Sequence, residues 1–287
     1  MTTDILTCIH NKMNSFSKGQ RKIAAYILES YDKAAFLTAG ALGKTVQVSE
    51  STVVRFASEL GYEGYPDMQK AMQEMVLTRL TSVQRIEVGA KRMPQEDVLS
   101  SVLQTDMELL RATSEQMDQK AFNGAVDALL QAQSIYIVGV RSSSALASFL
   151  SYYFKYMFHD VRLITCASDS EVFEQIVRIS PQDALIGVSF PRYSSAAIQA
   201  MEYAHTSGAK TIALTDCASS PLAKFSDFVL TAKSDMVSLV DSLVAPMSVI
   251  NALIVAAASK KKLETTRIFN KLEEIWDIYH VYEKDGE

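Results

Sequence analysis

Hydrophobic positions follow a helical period through the first 79 residues and form shorter, strand-like runs after residue 134. In the first part, Ile23, Ala24, Ile27 and Leu28 recur at helical spacing behind Ser17, a residue type that caps helix N-termini. In the second part, apolar runs predict strands at 135–138, 161–164, 184–188, 211–214 and 228–230. Helical stretches separate these strands and begin near Ser142, Asp169, Ser194 and Leu222. This alternation predicts right-handed βαβ units and a parallel sheet that is buried on both faces.

The helical pattern fades between Thr81 and Gln95, where Pro94 interrupts any continuous helix. We therefore predict three segments: a helical domain over 1–79, a linker and connecting helix over 80–112, and an α/β domain over 113–287. Near the C-terminus, polar residues interrupt the apolar run 237–258, which predicts a buried helix rather than a membrane span. The following apolar stripe is predicted to be mostly core, with any exposed part forming a subunit interface: Ile268, Leu272, Ile275, Trp276 and Tyr279.

Residues 38–56 have the organisation of a helix-turn-helix. The first helix would pack by Leu42 and the tight turn would bury Val48. The second helix would bury Val53, Val54 and Phe56. The residues predicted to contact DNA are Lys44, Ser49, Ser51, Thr52 and Arg55. Hydroxyls and the free N–H groups of a helix start suit phosphate, and an arginine can reach a phosphate or a guanine edge. An ordinary helical hairpin with serine caps would show the same pattern, so the spacing alone leaves DNA binding open.

Charge and cysteine usage narrow the possible function classes. The chain has 28 Lys and Arg against 33 Asp and Glu, which argues against indiscriminate coating of nucleic acid. The first 79 residues are nearly neutral, with nine basic and eight acidic residues. Three widely separated cysteines exclude a disulfide framework or a recognisable zinc site, so we predict no metal and no cofactor. The N-terminus lacks the pattern of a signal peptide, which indicates a cytoplasmic protein.

Two serine-bearing loops follow predicted strands of the α/β domain. The first loop has three consecutive hydroxyls, Ser142 to Ser144, at a helix start, and the second runs from Ser189 to Ser194 through Pro191 and Arg192. Ligands collect at the carboxyl ends of parallel strands, and helix N-termini favour anions. Capping alone would need only one serine in each loop. We predict a pocket for an anionic effector, bound by Ser142, Ser143, Ser189, Arg192, Tyr193 and Ser194.

The whole chain resembles the RpiR-type (MurR/RpiR) regulators, which join a helix-turn-helix to a sugar-isomerase (SIS) domain. Residues 48–56, followed by Leu60-Gly61-Tyr62, look like that family's recognition helix and its exit. Residues 139–143 and 189–194 look like the two SIS phosphate loops, and 208–223 look like the next strand and turn. Two departures are visible: Arg141 stands where many SIS domains have a second glycine, and Pro191-Arg192 stands where they have Ser-Gly.

The resemblance implies an N-terminal all-α helix-turn-helix domain and a three-layer α/β/α SIS domain with a five-stranded parallel sheet. It also implies operator DNA as a partner, a phosphorylated or acidic sugar-like effector, a homodimer or homotetramer, and no membrane association. The main rival is a catalytic SIS isomerase, which needs a general base near the substrate. Two candidate bases, Glu202 and His205, look like helix-surface residues. Two others, Glu171 and Glu174, follow the second strand and could approach the pocket, but their positions favour a solvated helix face, so no catalytic residue is predicted. A third interpretation treats the α/β part as a dimerisation module only.

Overall fold

The computed structural model describes residues 5–79, 83–84, 97–165, 169–235 and 240–282. The chain divides into two compact units, Met1–Lys91 and Arg92–Glu287. The first unit is helical throughout its described residues, and the second contains a sheet between layers of helices.

The first unit contains the following helices: α1 (Ile5–Lys12), α2 (Lys18–Glu29), α3 (Tyr31–Ala34), α4 (Ala39–Val46), α5 (Glu50–Glu59) and α6 (Tyr65–Arg79). The predicted cap is confirmed, because the Ser17 hydroxyl accepts the Gln20 N–H while the Gln20 side chain accepts the Ser17 N–H. This reciprocal box satisfies two N–H groups that would otherwise lack partners. Phe16 packs against Phe56 with ring centroids 5.0 Å apart, which joins the start of α2 to α5 in a single core.

The second unit begins with two helices and then alternates strands with helices. Its elements are α7 (Val98–Gln116), α8 (Gln119–Gln131), β1 (Ile135–Gly139), α9 (Ser143–Phe154), β2 (Val161–Ile164), α10 (Asp169–Ile176), β3 (Ala184–Val188), α11 (Ser195–Thr206), β4 (Lys210–Thr215), β5 (Phe228–Thr231), α12 (Val244–Lys260) and α13 (Lys262–Ile278). The five strands form one parallel sheet in the order β2-β1-β3-β4-β5. The predicted five-stranded parallel sheet is confirmed.

Apolar side chains cover both faces of the sheet, which gives the domain three layers. One face is covered by α8, α9 and α12, through residues such as Leu129, Leu150 and Leu253. The other face is covered by α10 and α11, through Ile176 and Met201. Every residue of β1 and β3 is buried, as expected for the central strands of a sheet covered on both sides.

Two sequence predictions are wrong at the level of single elements. The helix predicted to begin near Leu222 is only a turn of 3-10 helix, Ala223–Phe225, because β5 already begins at Phe228 and leaves no room for more. The stripe on α13 is not core, since α13 contains no buried residue and Tyr279, which caps it, is 74% exposed. The reason is geometric: α13 bends by 98° from α12.

By contrast, the helix predicted over 237–258 is confirmed from Val244 onward, as α12, which packs on the sheet; residues 240–243 are not helical, and 237–239 lie outside the described residues. Among the described residues no single helix combines the length and apolar composition of a membrane span; α12 and α13 meet those criteria only when taken together across their bend.

Candidate functional site

The turn between α4 and α5 passes very close to α4. Gln47 adopts a left-handed conformation with φ of 57°, and the Val48 N–H donates to the Gly43 carbonyl at 2.8 Å. A side chain at Gly43 would place its Cβ 2.9 Å from the Val48 carbonyl oxygen. A side chain at position 43 would push the turn away from α4. Glycine at this position therefore lets the turn that leads into α5 pack closely against α4.

The burial of apolar residues around α5 differs from the prediction at two positions, Val54 in the helix and Val48 in the turn before it. Val53, Phe56 and Ala57 are buried, at the i, i+3 and i+4 spacing of one helix face. Val54 was predicted to be buried but is 41% exposed, because it lies about 100° around the helix from Val53. Val48 is only half-buried.

The hydroxyls predicted to contact DNA form a small cluster where α5 begins. The Ser49 hydroxyl lies 2.9 Å from that of Ser51 and 2.8 Å from that of Thr52. Ser49 is the N-cap residue of α5, but its side chain accepts no hydrogen bond from the first N–H groups of the helix. The Arg55 Nε donates to the Ser51 carbonyl at 3.3 Å, so the guanidinium lies beside the cluster. Lys44, Ser49, Ser51 and Arg55 are exposed, whereas Thr52 is half-buried.

In the second unit, the first loop lies between β1 and α9 and is tightly built. A Cβ at Gly139 would meet the Ser143 carbonyl oxygen at 2.5 Å, so the lack of a side chain lets α9 begin directly above β1. The Ser144 hydroxyl donates to the Arg141 carbonyl at 2.6 Å. Ser142 is exposed, and its side chain makes no capping hydrogen bond. Ser143, the next residue, is buried.

The second loop, between β3 and α11, is held in place by its own serines. The buried Ser189 hydroxyl accepts the Ser194 N–H at 3.1 Å. The Ser194 hydroxyl in turn accepts the Ala197 N–H at 3.5 Å, at the start of α11. Arg192 is exposed at the tip of the loop. The serines thus shape the loop and place the N-terminus of α11 at the carboxyl end of β3.

A tyrosine ties the second loop to the neighbouring strand. The Tyr193 hydroxyl donates to the Asp216 carboxylate at 2.8 Å, and Asp216 directly follows β4. The Thr215 hydroxyl donates to the same carboxylate oxygen at 3.1 Å. Burial raises the pKa of Tyr193, and the adjacent carboxylate raises it further, so the phenol stays a neutral donor. Burial likewise raises the pKa of the nearby Cys217 thiol.

The sheet order brings the two loops side by side. Gly139 and Val188 are paired in the register of β1 and β3, and each is the last residue of its strand. From β1 the chain continues toward β2 at one edge, whereas from β3 it continues toward β4 on the other side. Such a point of diverging connections leaves a crevice at the carboxyl ends of the strands, which is the usual ligand position in this strand order.

A cavity lies on the other side of β1, toward β2. It has a volume of about 220 Å³ and is lined by Gly139, Val140, Arg141, Ser144, Ser148, Leu163, Ile164 and Thr165. Two of these polar residues, Ser148 and Thr165, were not among the site residues predicted from the sequence. Ser148 could have been found from its spacing, since it lies one turn after Ser144 on the same face of α9.

Comparison with known proteins identifies both units. Residues 3–77 match the helix-turn-helix domain of the rpiR family, and residues 128–256 match the SIS domain. The chain belongs to the RpiR-type regulators. It is 25% identical over 285 residues, covering 95% of this chain and 97% of the relative, to an uncharacterized HTH-type transcriptional regulator of Caldanaerobacter subterraneus subsp. tengcongensis. The predicted family and fold class are confirmed.

Two solved structures show the same fold as this RpiR-type chain. The sugar isomerase domain of an RpiR transcription factor from Sphaerobacter thermophilus is 27% identical, with a TM-score of 0.59, and covers 62% of this chain and 99% of its own. The Vibrio vulnificus NanR protein, complexed with ManNAc-6P, is 22% identical, with a TM-score of 0.57, and covers 96% and 98%. The two structures thus show the same fold, and the two family matches give the chain the helix-turn-helix and SIS domains of an RpiR-type regulator.

The RpiR-type chain departs from the common SIS pattern at Arg141, and the backbone explains why glycine is frequent there. Arg141 has φ of 58°, in the left-handed region that favours glycine. An L-residue in this conformation costs about 1–2 kcal/mol. Arg141 thus lines the 220 Å³ cavity despite the strain on its backbone.

The residues considered as isomerase bases lie away from the crevice or on other elements. The His205 Nδ1 is 3.5 Å from the Thr211 hydroxyl, near the beginning of β4. The two serine-bearing loops lie at the other end of the strands. A strand rises about 3.3 Å per residue, so the end of β4 at Thr215 is roughly 13 Å from Thr211. Glu202 is exposed on α11, while Glu171 and Glu174 lie on α10, which follows β2. The relatives are named as transcriptional regulators.

Proposed function

We propose that this RpiR-type regulator senses a phosphorylated sugar or a similar acidic sugar derivative and adjusts operator binding in response, controlling genes of carbohydrate catabolism. Residues 1–79 form its DNA-binding domain, 80–112 the connection, and 113–287 the effector and dimerisation domain. The observation that carries the proposal is the pair of hydroxyl-bearing loops that end β1 and β3 side by side.

The chemistry of this crevice suits a phosphate or a carboxylate. The N-termini of α9 and α11 both begin there, and a helix N-terminus provides N–H donors and a partial positive charge. Four serine hydroxyls supply further donors: Ser142, Ser143, Ser189 and Ser194. Arg192 can hold an anion with two parallel hydrogen bonds. The structure of a protein of the same fold, NanR, is of its complex with ManNAc-6P, a phosphosugar, which supports this ligand class.

Tyr193 acts in this proposal through the loop. Its hydroxyl already donates to Asp216, so it holds Arg192 and Ser194 in position. Tyr193 is also a predicted effector-binding residue, and its ring would contact the effector directly. Positioning of this kind contributes to affinity because the loop loses less freedom when the ligand binds.

DNA binding is assigned to the exposed start of α5. Lys44 and Arg55 supply charge, and the hydroxyl cluster of Ser49, Ser51 and Thr52 adjoins the uncapped N–H groups of the helix. Two copies related by a two-fold axis match paired operator half-sites, so we include a homodimer or homotetramer in the proposal. The effector must bind the DNA-competent and incompetent arrangements with different affinities, because otherwise it shifts nothing.

The test has an effector arm and a DNA arm. Sugar phosphates and sugar acids are screened by thermal shift, since a ligand at 100 times its Kd stabilises the folded state by about 2.7 kcal/mol. The double variant Ser143→Ala with Arg192→Ala should lose this shift but bind operator DNA like the wild type. Ser148→Ala, in the cavity on the other side of β1, is the matched control and should keep the shift.

In the DNA arm, Arg55→Ala should weaken binding to an operator fragment by about 1–3 kcal/mol if Arg55 reads a base. Its thermal shift with the effector should be unchanged. A double variant that still responds like the wild type would remove the crevice from the proposal. No selective affinity for any duplex from the chain's own genomic neighbourhood would refute the regulatory function.

A further inference from the structure

The connecting helix α7 is held to its unit by a buried hydroxyl rather than by a buried apolar face. All nineteen residues of α7 are described, and among them only Thr113 is buried. Three of its large apolar side chains, Leu99, Leu103 and Met107, are more than half exposed. The Thr113 hydroxyl accepts the Lys233 N–H at 2.8 Å. The position of α7 therefore depends strongly on this polar contact.

A second hydrogen bond anchors α7 to the same segment of the chain. The Ser242 hydroxyl donates to the Asp106 carboxylate. Asp106 and Thr113 are seven residues apart, so they lie on one face of α7, about 10 Å from each other along its axis. Lys233 and Ser242 both belong to the segment 232–243 between β5 and α12, of which 236–239 lie outside the described residues. Two anchors on one face, two turns apart, fix both the rotation and the position of the helix.

The segment after β5 is also bonded to the end of β4 and, through it, to the second loop. The Ala232 N–H donates to the carbonyl of the buried Thr215 at 2.8 Å. The Thr215 hydroxyl donates to the Asp216 carboxylate, which also accepts the hydroxyl of Tyr193. Since Ala232 is the chain neighbour of Lys233, an unbroken series of hydrogen bonds and peptide bonds runs from the second loop to α7. We call this series the loop-to-helix route.

The loop-to-helix route lies at the edge of the sheet that carries the effector crevice. All five strands are parallel, so the residues that follow β4 and β5 emerge at the same edge as the loops that follow β1 and β3. In the chain, α7 comes directly after the predicted linker from the helix-turn-helix unit. A helix of nineteen residues is roughly 28 Å long, so a change at its anchors also moves its linker end.

We propose that the loop-to-helix route couples the second loop to α7, so that an anion bound at this loop changes how firmly α7 is held and thereby reaches the linker. Thr113 and Asp106 are positioning residues in this coupling, because they act through the segment after β5 and not by touching the effector. The inference deepens the proposed function, on which it rests. It assigns the difference between the two arrangements of the regulator to a definite set of bonds, which the effector must affect unequally in order to shift anything.

Amide hydrogen exchange of the full-length protein, followed by mass spectrometry, tests this coupling without any ligand. Thr113→Val removes the anchoring hydroxyl and should speed exchange in α7 about fivefold or more. The decisive variant is Tyr193→Phe, whose site is 80 residues away in the chain from Thr113 (193 − 113). It should speed exchange in α7 by about twofold to fivefold, because it breaks the first bond of the route. In the Thr113→Val background it should add nothing further, since coupled sites are not additive.

Three matched variants separate the route from a general loosening of the domain. Thr105→Val removes a hydroxyl from the same helix, but this hydroxyl donates to the Ser101 carbonyl within α7 at 2.9 Å. Tyr203→Phe removes a phenol hydroxyl of α11 that donates to the Val177 carbonyl. Each should change exchange in α7 by less than about twofold. Thr113→Ser keeps the hydroxyl and should restore wild-type exchange.

Far-UV circular dichroism verifies that every variant is folded, and the comparison of Tyr193→Phe with Tyr203→Phe decides the question even if Thr113→Val does not fold. Exchange in α7 that is unchanged by Tyr193→Phe would overturn the proposal. So would an increase of the same size in the Thr113→Val background. Either result would leave the proposed function standing, because effector and operator binding are measured separately.

Discussion

Replacing Tyr193 by phenylalanine tests whether the second loop is held by its hydrogen bond to the strand beside it. The change removes only the hydroxyl that donates to Asp216 at 2.8 Å and creates no cavity. A hydrogen bond to a charged group contributes about 1.5–3 kcal/mol, and Tyr193 is only half-buried, so we expect a loss of about 1–2 kcal/mol. For a domain of this size the melting temperature should fall by roughly 2–8 °C.

The assay is urea and thermal unfolding at pH 7, followed by far-UV circular dichroism. Tyr203→Phe is the matched control, because Tyr203 lies on α11, the helix that follows the second loop, and its hydroxyl donates to the Val177 carbonyl at 3.4 Å. That longer contact should cost at most about 0.5 kcal/mol. Tyr193→Phe should also reduce the thermal shift produced by an effector, because the loop that bears Arg192 is loosened. Equal stability losses in the two variants would refute the assignment of Tyr193 as a positioning residue.

Two further predictions concern the DNA-binding unit. Gly43→Ala should destabilise the helix-turn-helix by about 1–3 kcal/mol and weaken operator binding, because the new Cβ would lie 2.9 Å from the Val48 carbonyl oxygen. Gly64→Ala, whose nearest neighbour would be 3.6 Å away, should stay within about 0.5 kcal/mol of the wild type in urea unfolding, and an equal effect of both would contradict the close approach. Tyr65→Phe tests pH dependence: the Tyr65 hydroxyl donates to the Leu37 carbonyl at 2.7 Å, and burial raises its pKa to about 12. The phenol of the unfolded chain ionises near pH 10, so the free energy of unfolding of the wild type should fall between pH 10 and 12. The variant should be less stable than the wild type at pH 7 by about 1 kcal/mol, because it lacks the hydrogen bond. Its free energy of unfolding should fall less between pH 10 and 12, because it has no phenol at position 65 to ionise. Parallel pH profiles for the two proteins would show that Tyr65 does not titrate as described.

Elements with a local signal could be predicted from the sequence with good accuracy. The Ser17 cap forms because its partner, Gln20, is three residues away, so the whole motif lies within one turn. The central strands β1 and β3 are continuous apolar runs, as expected for the interior of a parallel sheet covered on both faces. The resemblance to RpiR-type regulators, carried by motifs in both units, is confirmed by the two family matches.

The burial of individual apolar residues could not be predicted from the sequence, because it depends on the angular position of a residue on its helix and on the elements that pack against that helix. Val54 was assigned to the core because it is apolar, but its angular position on α5 places it on the exposed side. The stripe on α13 was assigned to the core for the same reason. Its exposure follows from the bend after α12, which no local pattern records.

By itself, the sequence determined where the five strands lie and which two loops carry the hydroxyls, because these depend on residues close together along the chain. Only the tertiary structure decided what those loops touch. The strand order places Gly139 beside Val188, and Tyr193 reaches a carboxylate 23 residues later, at the end of the next strand. Such contacts depend on the order in which strands pair, and a parallel sheet can be assembled from the same strands in several orders.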